Sequence, residues 1–339
     1  MKKIKIDFLA QPTIGMNQSG MKSQLDNLYT HFENDDLLHI HKYNIWEKSS
    51  PDIVHYFGMG EGMLQVLKKQ KSNGAKIICS PNHWPVDSKV EKLLMKINYK
   101  NVIYTNRVTK KFLIDHADSF IVNSESEKKM FSDNLNIEGD RIKVIHNSYG
   151  LEKEEIAFGD FRKKYTISKP YALMVGQVGS ERKNQKPVLE CWQADYDDLY
   201  ILGGFDNTSY GQKCKRIIDS KSNIHYLGFE SNVSILEDAY RNCNLLISPG
   251  LIETPSLSAF RALINGAKVC STDFGGAPRE YFGDNVFYFD PYNAKEIARV
   301  IAEAIKIKDM KIKFGEFDRF SNTNINKLYK EHYKEILKG

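Results

Sequence analysis

The chain has no long hydrophobic run, few cysteines and little net charge. None of its apolar stretches approaches the roughly 18 to 20 residues that a membrane-spanning helix needs. Its five cysteines are odd in number, far apart and without a Cys-x-x-Cys pair, which argues against a disulfide framework or a zinc site and fits a reducing cytosol. The 48 basic and 43 acidic residues leave a net charge of +5, too weak for a duplex nucleic-acid binder. We therefore expect a cytoplasmic protein without a nucleic-acid partner.

Short apolar runs alternate with helix-patterned stretches along all 339 residues. The runs predict strands at 4–9, 53–57, 76–80, 119–123 and 143–146, and then at 171–175, 199–202, 224–227, 245–248, 267–271 and 286–288. Helices are predicted at 21–32, 62–71, 124–135, 232–241, 254–264 and 325–337. Several strands are almost wholly apolar, as strands buried on both faces of a parallel sheet are. This alternation predicts an α/β protein with doubly wound, Rossmann-like sheets.

The alternation restarts near Tyr171, after a polar, charge-rich stretch, so the chain is predicted to hold two domains. We place the first at 1–150 and the second at 151–322, with a C-terminal helix at 323–339 packing back across the domains. Two doubly wound domains usually hold a ligand beyond the ends of their strands. The architecture therefore predicts a cleft between the domains, without indicating what fills it.

Residues 247–291 combine features that suit a ligand with both phosphate and hydroxyl groups. A predicted strand ends at Ser248, Glu253 follows, and a Thr-Pro-Ser-Leu turn opens a helix at Ser256 and Leu257. The backbone N–H groups and dipole of a helix N-terminus attract phosphate. A carboxylate beside them could accept hydrogen bonds from neighbouring hydroxyls. This segment therefore indicates a sugar-nucleotide site.

Together with other motifs in the same order, this segment resembles the retaining GT-B glycosyltransferases of the group 1, or GT4-like, family. The supporting motifs are Ser-Gly at 19–20, DIVH at 52–55, SPNH at 80–83, ADSFIVNS at 117–124, VIHNS at 144–148, the loop at 175–184 and LGF at 227–229. The resemblance covers roughly residues 4–300. It implies two Rossmann-like domains facing across a cleft, with the acceptor bound by the first and the nucleotide sugar by the second.

The resemblance also implies an activity and roles for particular residues. The activity is a metal-independent hexosyl transfer with retention, from a nucleotide-diphosphate sugar to a hydroxyl of a glycan or lipid-linked glycan. The expected pathway is bacterial surface polysaccharide biosynthesis. His83 and Glu253 are the catalytic candidates. The expected donor-binding residues are Gly20, Arg182, Lys183, Glu253, Ser256, Leu257, Arg261 and Glu280. No cofactor is expected beyond the donor substrate, and no cluster of histidines and acids suggests a bound metal.

Two positions depart from the family pattern. The family usually carries a second glutamate eight positions after the first, where this chain has Arg261, and often an arginine where this chain has Gln177. Arg261 could supply a cation to the nucleotide, or it could lie in a surface salt bridge. Glu280 could contact the donor or cap the next helix. Both pairs of alternatives stay open at this point.

Residues 89–111 concentrate the positive charge of the chain, with seven basic side chains and one acid among apolar residues. Such a mixture can bind an anionic membrane surface, although a solvated helix has the same composition. Two other functions also remain open. A GT-B sugar-nucleotide epimerase would share the cleft, and a catalytically inactive nucleotide-sugar binder would be consistent with Arg261.

Overall fold

The computed structural model describes residues 3–11, 14, 20–60, 62–81, 106–149, 160–307, 310 and 312–338. The chain forms two compact units. The first comprises Met1–Gly150 together with Arg319–Gly339, and the second comprises Leu151–Asp318. The second unit therefore ends slightly before the predicted boundary at 322.

Each unit contains a six-stranded sheet whose strands all pair in parallel. The first sheet consists of β1 (Ile4–Ala10), β2 (Leu38–Lys42), β3 (Ile53–Phe57), β4 (Lys76–Ser80), β5 (Ser119–Val122) and β6 (Ile142–Val144). The second consists of β7 (Tyr171–Val175), β8 (Asp198–Leu202), β9 (Ile224–Gly228), β10 (Leu245–Ser248), β11 (Lys268–Thr272) and β12 (Phe287–Phe289). Strands such as β3 and β5 are buried along their whole length, as the predicted parallel sheets require.

Helices connect successive strands in both units, except between β2 and β3. They are α1 (Gly20–Phe32), α2 (Leu64–Ser72), α3 (Asn106–His116), α4 (Glu125–Leu135), α5 (Phe161–Lys164), α6 (Gln185–Cys191), α7 (Ser209–Ser220), α8 (Val233–Asn242), α9 (Leu257–Ile264), α10 (Ala277–Phe282), α11 (Ala294–Lys306) and α12 (Asn322–Ile336). Several begin at a residue whose side chain caps the first turn. Ser124 accepts a hydrogen bond from the Glu127 N–H, and Asn232 accepts from the N–H groups of Ser234 and Ile235.

The strand order locates a switch point in each sheet. The first sheet has the order β2-β1-β3-β4-β5-β6, and the second has the order β12-β11-β10-β7-β8-β9. In the second sheet the chain runs outward through β7, β8 and β9, and then resumes on the other side of β7 with β10. Loops that leave β7 and β10 at their carboxyl ends therefore lie on either side of a crevice, where doubly wound sheets bind ligands.

The C-terminal helix α12 packs on the first unit. The hydroxyl of Tyr333 hydrogen-bonds Nδ1 of buried His55 at 2.7 Å, and Nε2 of the same ring lies 2.8 Å from Oγ of Ser80. Nε2 of His332 lies 2.9 Å from Oγ of Ser119, so the helix is tied directly to β3 and β5. Burial lowers the pKa of His55 to about 3, so the imidazole is neutral in the folded protein.

The predicted α/β class with two doubly wound sheets is confirmed, but individual elements differ from their predictions. The strand β2 was not predicted, because its sequence LHIHK alternates apolar residues with histidines instead of forming an apolar run. The helix predicted at 254–264 begins only at Leu257, since Ser256 is its cap and Pro255 precedes it. The strand predicted at 143–146 is shifted toward the N-terminus, to 142–144.

Candidate functional site

The loops after β7 and β8 are held close together at the carboxyl edge of the second sheet. A Cβ added at Gly203 would lie 2.1 Å from the carbonyl oxygen of Gly176, so only glycine allows this approach. The Val178 N–H donates to the Gly204 carbonyl at 2.8 Å, and the amide of Gln177 donates to Oδ1 of Asp206 at 2.7 Å. Gln177, which stands where the family often has arginine, therefore fastens one loop to the other.

The main feature of the edge is a contact between Lys183 and Glu253. Lys183 ends a short 3-10 helix after β7, and Glu253 lies in the loop after β10. Lys183 Nζ lies 2.9 Å from Glu253 Oε1, with the lysine side chain 23% and the glutamate side chain 6% exposed. Strands β7 and β10 flank the switch point, so the structure brings these two predicted residues together where a ligand is expected. The pair offers a cation and a carboxylate side by side.

The backbone around this pair leaves little freedom to Glu253. A Cβ at Gly250 would lie 2.2 Å from Oε1 of Glu253, so the glycine makes room for the carboxylate. The Leu251 N–H donates to the Arg182 carbonyl at 2.8 Å, which joins the loop after β10 to the loop that carries Lys183. The side chain of Arg182 itself is exposed, whereas its backbone positions the neighbouring loop.

Helix α9 begins beside this loop. Its cap, Ser256, is buried, and its Oγ accepts from the Ala259 N–H at 3.3 Å and lies 2.8 Å from Oγ of Ser258. Leu257 is the first helical residue and is half-buried. The first turn directs its N–H groups toward the carboxyl edge of the sheet, which favours an anion at that position.

Arg261 lies farther along α9 and forms an ion pair with Glu237 on α8. The side chains are 20% and 4% exposed, respectively, and Asn265 adds a hydrogen bond of 3.2 Å to the same carboxylate. Burial raises the pKa of Glu237, and the charge of Arg261 opposes that effect. Of the two alternatives for Arg261, this geometry supports a salt bridge, although with a buried partner instead of a surface one.

The Gly275-Gly276 turn and Glu280 follow β11. The guanidinium of Arg279 donates to both carboxylate oxygens of Asp273, at 2.5 and 2.9 Å, and stacks on the ring of Tyr288. This bidentate contact closes the loop across the two glycines. Glu280 lies in the first turn of α10, and its side chain is half-buried.

The predicted residues of the first unit are described only in part. Gly20 is the first residue of α1 and is exposed, whereas His83 lies outside the described residues. Of the basic segment 89–111, only the residues from 106 onward are described, as the beginning of α3. His83 and residues 89–105 of the basic segment are therefore not among the described residues.

Sequence reasoning missed several contacts at the site. Asp206, which holds Gln177, carries no motif of its own. The buried Asn184, at a φ of 47°, donates to the carbonyl of Pro291 at 2.8 Å and so joins the loops after β7 and β12. An asparagine at the end of a short helical turn is a recognisable signal for this left-handed conformation, but nothing in the sequence indicates its partner.

The described part of the chain shows neither a metal-binding cluster nor a membrane-spanning helix. Within these ranges no group of three or more histidines, cysteines, aspartates and glutamates is arranged to hold a metal ion. An Asp-x-Asp sequence occurs at Asp195 and Asp197. It precedes β8 and therefore lies at the edge of the sheet opposite to Lys183. Asp197 accepts a hydrogen bond from the side-chain amide of Asn244. Among the helices of the described ranges, none has the length and apolarity to cross a bilayer.

The fold is shared with solved glycosyltransferase structures. HepE from Anabaena in complex with UDP superposes with a TM-score of 0.73 and 15% identity, covering 98% of this chain and 100% of that one. Sucrose-phosphate synthase from Thermosynechococcus elongatus matches with a TM-score of 0.73 and 15% identity, covering 98% and 99%. The lipopolysaccharide outer core galactosyltransferase WaaB, in its apo form, matches with a TM-score of 0.67 and 17% identity, covering 98% and 99%. At these identities the likeness establishes the fold alone.

Sequence comparison gives the family. None of the curated proteins matches the chain at a significant level of sequence similarity. Two family profiles match successive parts of the chain: Glycosyltransferase Family 4 matches residues 24–153, and Glycosyl transferases group 1 matches residues 158–319. The two matches together span most of both units and agree with the shared GT-B fold, so the chain belongs to the glycosyltransferases, and its second unit matches those of group 1.

Proposed function

We propose that this protein transfers a sugar from a nucleoside diphosphate donor to a hydroxyl group of a glycan or lipid-linked glycan, with retention of the anomeric configuration. The observation that carries the proposal is the contact between Lys183 and Glu253 at the switch point of the second sheet. A cation for phosphate and a carboxylate for hydroxyls lie side by side there, next to the N-terminus of α9. This combination matches the chemistry of a sugar diphosphate.

Each group has a defined part in the proposed reaction. Lys183 and the N-terminus of α9 neutralise the charge that develops on the leaving diphosphate, so positive charge reaches the phosphate from the chain itself, and the proposed mechanism is metal-independent. Glu253 accepts hydrogen bonds from hydroxyls of the transferred sugar. Because the two side chains pair with each other in this structure, a bound donor would replace one ion pair by two sets of contacts.

The proposed chemistry needs no enzymic nucleophile. The bond between the anomeric carbon and the phosphate oxygen breaks, the acceptor oxygen bonds to the same face of that carbon, and the acceptor proton moves to the leaving phosphate. In this proposal His83 hydrogen-bonds the donor sugar near the acceptor, and Gly20 allows the backbone to approach a phosphate. Ser256 orders the first turn of α9 and Leu257 contributes its N–H, whereas Arg182 and Glu280 are further donor contacts of the proposal.

The comparisons support a proposal for the donor class and the pathway. HepE was crystallised with UDP-glucose, and WaaB is a lipopolysaccharide galactosyltransferase. We therefore propose a UDP-sugar as the first donor to test and surface polysaccharide synthesis as the pathway. The reaction would take place in the cytoplasm, at the inner face of the membrane if residues 89–111 bind anionic lipid.

The test begins with binding. Thermal unfolding with UDP, GDP, ADP and their glucose conjugates should show stabilisation by one nucleotide, because a ligand of the folded state raises the unfolding temperature. Lys183→Ala should then weaken binding of that nucleotide by roughly 10- to 100-fold, since a charged hydrogen bond is worth about 1.5–3 kcal/mol. Lys215→Ala is the matched control, because Lys215 pairs with Asp219 on the exposed surface of the same unit.

Turnover separates the proposed transferase from its alternatives. Glu253→Ala should lower sugar transfer by about 100-fold or more without changing the far-UV circular dichroism. Near-normal rates in both Lys183→Ala and Glu253→Ala would contradict the site assignment. An altered sugar nucleotide formed without any acceptor would identify an epimerase, and donor binding without turnover across an acceptor panel would identify an inactive binder.

A further inference from the structure

Two exposed aromatic rings lie at the same edge of the second sheet as Lys183 and Glu253. Phe274 follows β11 and is 44% exposed, and Tyr292 follows β12 and is 63% exposed. Their ring centroids are 5.4 Å apart, with the planes at 83°. The two rings are remote in sequence and meet only because β11 and β12 are neighbours. They form an apolar surface in a region otherwise rich in polar groups.

Both rings are presented by ordered turns. The Phe274 N–H donates to Oγ1 of buried Thr272 at 3.1 Å, and the Tyr292 N–H donates to Oδ1 of Asp290 at 2.9 Å. The Asp273–Arg279 contact described above holds the same loop as Phe274. The exposure of the rings therefore accompanies a well-defined backbone, which is what a binding surface requires.

The aromatic pair is connected to the proposed donor site through the backbone. Asn184, the residue after Lys183, donates to the carbonyl of Pro291, the residue before Tyr292. The Leu251–Arg182 hydrogen bond joins the Glu253 loop to the same segment. The loops that carry the charged pair and the aromatic pair therefore form one connected group.

The order of features along the edge corresponds to the order of groups in a nucleotide sugar. On the other side of the switch point, Phe205 follows β8, and Tyr226 in β9 lies beside it and donates to the Gly203 carbonyl at 2.8 Å. The edge thus presents aromatic rings, then the Lys183–Glu253 pair, then the Phe274–Tyr292 pair. Strands β8 and β11 are three spacings apart, or roughly 14 Å. A nucleotide sugar likewise has a flat base, a charged diphosphate and a ring with an apolar C–H face.

We propose that Phe274 and Tyr292 form the platform on which the transferred sugar of the donor packs. This inference rests on the proposed function and deepens it. The apolar face of the pyranose contacts the two rings, while Glu253 accepts hydrogen bonds from the hydroxyls at its edge. Binding sites for small ligands commonly combine aromatic walls with a few directed polar groups in this way. The pair therefore contributes to recognition of the sugar and not of the nucleotide.

The experiment compares two ligands that differ only by the sugar. Dissociation constants for UDP and UDP-glucose are measured by calorimetry for the wild type, Phe274→Ala, Tyr292→Ala and the double variant. We expect the affinity for UDP to change less than about twofold. The affinity for UDP-glucose should fall roughly three- to tenfold in the double variant, the range for one lost aromatic contact. Tyr292→Phe keeps the ring and should retain most of the affinity. Phe314→Ala removes an exposed ring elsewhere in the unit and is the control.

Each other outcome has a defined meaning. Unchanged UDP-glucose affinity in the double variant would overturn the inference and leave the proposed function standing. An equal loss of affinity for UDP and for UDP-glucose would also overturn it, because the rings would then only support the loops that bind the nucleotide. If steady-state kinetics of the double variant show a raised KM for the acceptor while the UDP-glucose affinity is unchanged, the inference is overturned and the platform serves the acceptor. A wild type that binds no nucleotide of the panel would refute the proposed function, and this inference with it.

Discussion

Replacing Arg261 by alanine tests whether this residue serves the fold or the nucleotide. The change removes the cation that faces Glu237, whose side chain is 4% exposed, and leaves a carboxylate in the interior. Breaking a buried ion pair by removing one partner costs about 3–5 kcal/mol. Arg261 is itself 20% exposed, so water can partly replace it, and we expect a loss at the lower end, about 3 kcal/mol.

The size of this loss makes it easy to detect. For a domain as long as the second unit, Leu151–Asp318, a loss of about 3 kcal/mol lowers the unfolding temperature by roughly 6–12 °C. Glu237→Arg combined with Arg261→Glu should recover part of the stability, because the exchanged charges can pair again. Arg261→Ala, Glu237→Ala and the double alanine variant form the cycle that isolates the pairwise contribution, because neither single change introduces a new charged contact. Lys215→Ala is again the surface control.

The pH dependence supplies a second measurement on the same variant. Burial already raises the pKa of Glu237, and loss of Arg261 should raise it further. Between the ordinary and the raised pKa, the folded state holds a proton that the unfolded state has released, so stability falls as the pH rises. The free energy of unfolding of Arg261→Ala should therefore be closest to that of the wild type at acidic pH, and the difference between the two proteins should be largest at neutral pH. If the variant unfolds at the wild-type temperature and loses nucleotide affinity, Arg261 serves the donor and the reasoning is refuted.

Two further predictions concern Gly250 and His55. Gly250→Ala places a Cβ 2.2 Å from the Glu253 carboxylate, so the rate of sugar transfer should fall at least about tenfold. The circular dichroism spectrum should not change. A wild-type rate would contradict the prediction and show that the loop adapts. His55, with a pKa lowered to about 3 by burial, stays neutral in the folded protein while the unfolded chain takes up a proton below about pH 6.5. Stability should fall by about 2–3 kcal/mol between pH 7 and pH 4.5, and urea unfolding of His55→Gln should show a smaller pH effect. Equal pH effects in the two proteins would contradict this assignment.

The sequence was sufficient to predict much of the fold because buried parallel strands leave an apolar run. Ile53–Phe57 and Lys76–Ser80 are observed as predicted, since both faces of these strands are covered. The edge strand Leu38–Lys42 has a partner on one side only. Its histidines at 39 and 41 interrupt the apolar run by which a buried strand is recognised. Edge strands tolerate polar side chains, and so periodicity alone identifies them poorly.

The site could be predicted as a group of residues but not as a set of contacts. Lys183 and Glu253 each belong to a motif, whereas their contact depends on β7 and β10 being neighbours. The partner of Arg261 and the meeting of Phe274 with Tyr292 depend in the same way on tertiary structure. No local pattern specifies which side chain of a neighbouring element faces a given residue.

The position of α12 has a consequence for how the protein is made. The first unit consists of two separate segments, with the second unit inserted between Gly150 and Arg319. During synthesis the second unit leaves the ribosome as one continuous segment and can fold at once, because domains generally fold as units. The first unit can complete its packing only after Tyr333 has been synthesised. Until then the imidazole of His55 lacks one of its two hydrogen-bond partners. The half of the enzyme translated first is therefore the half completed last.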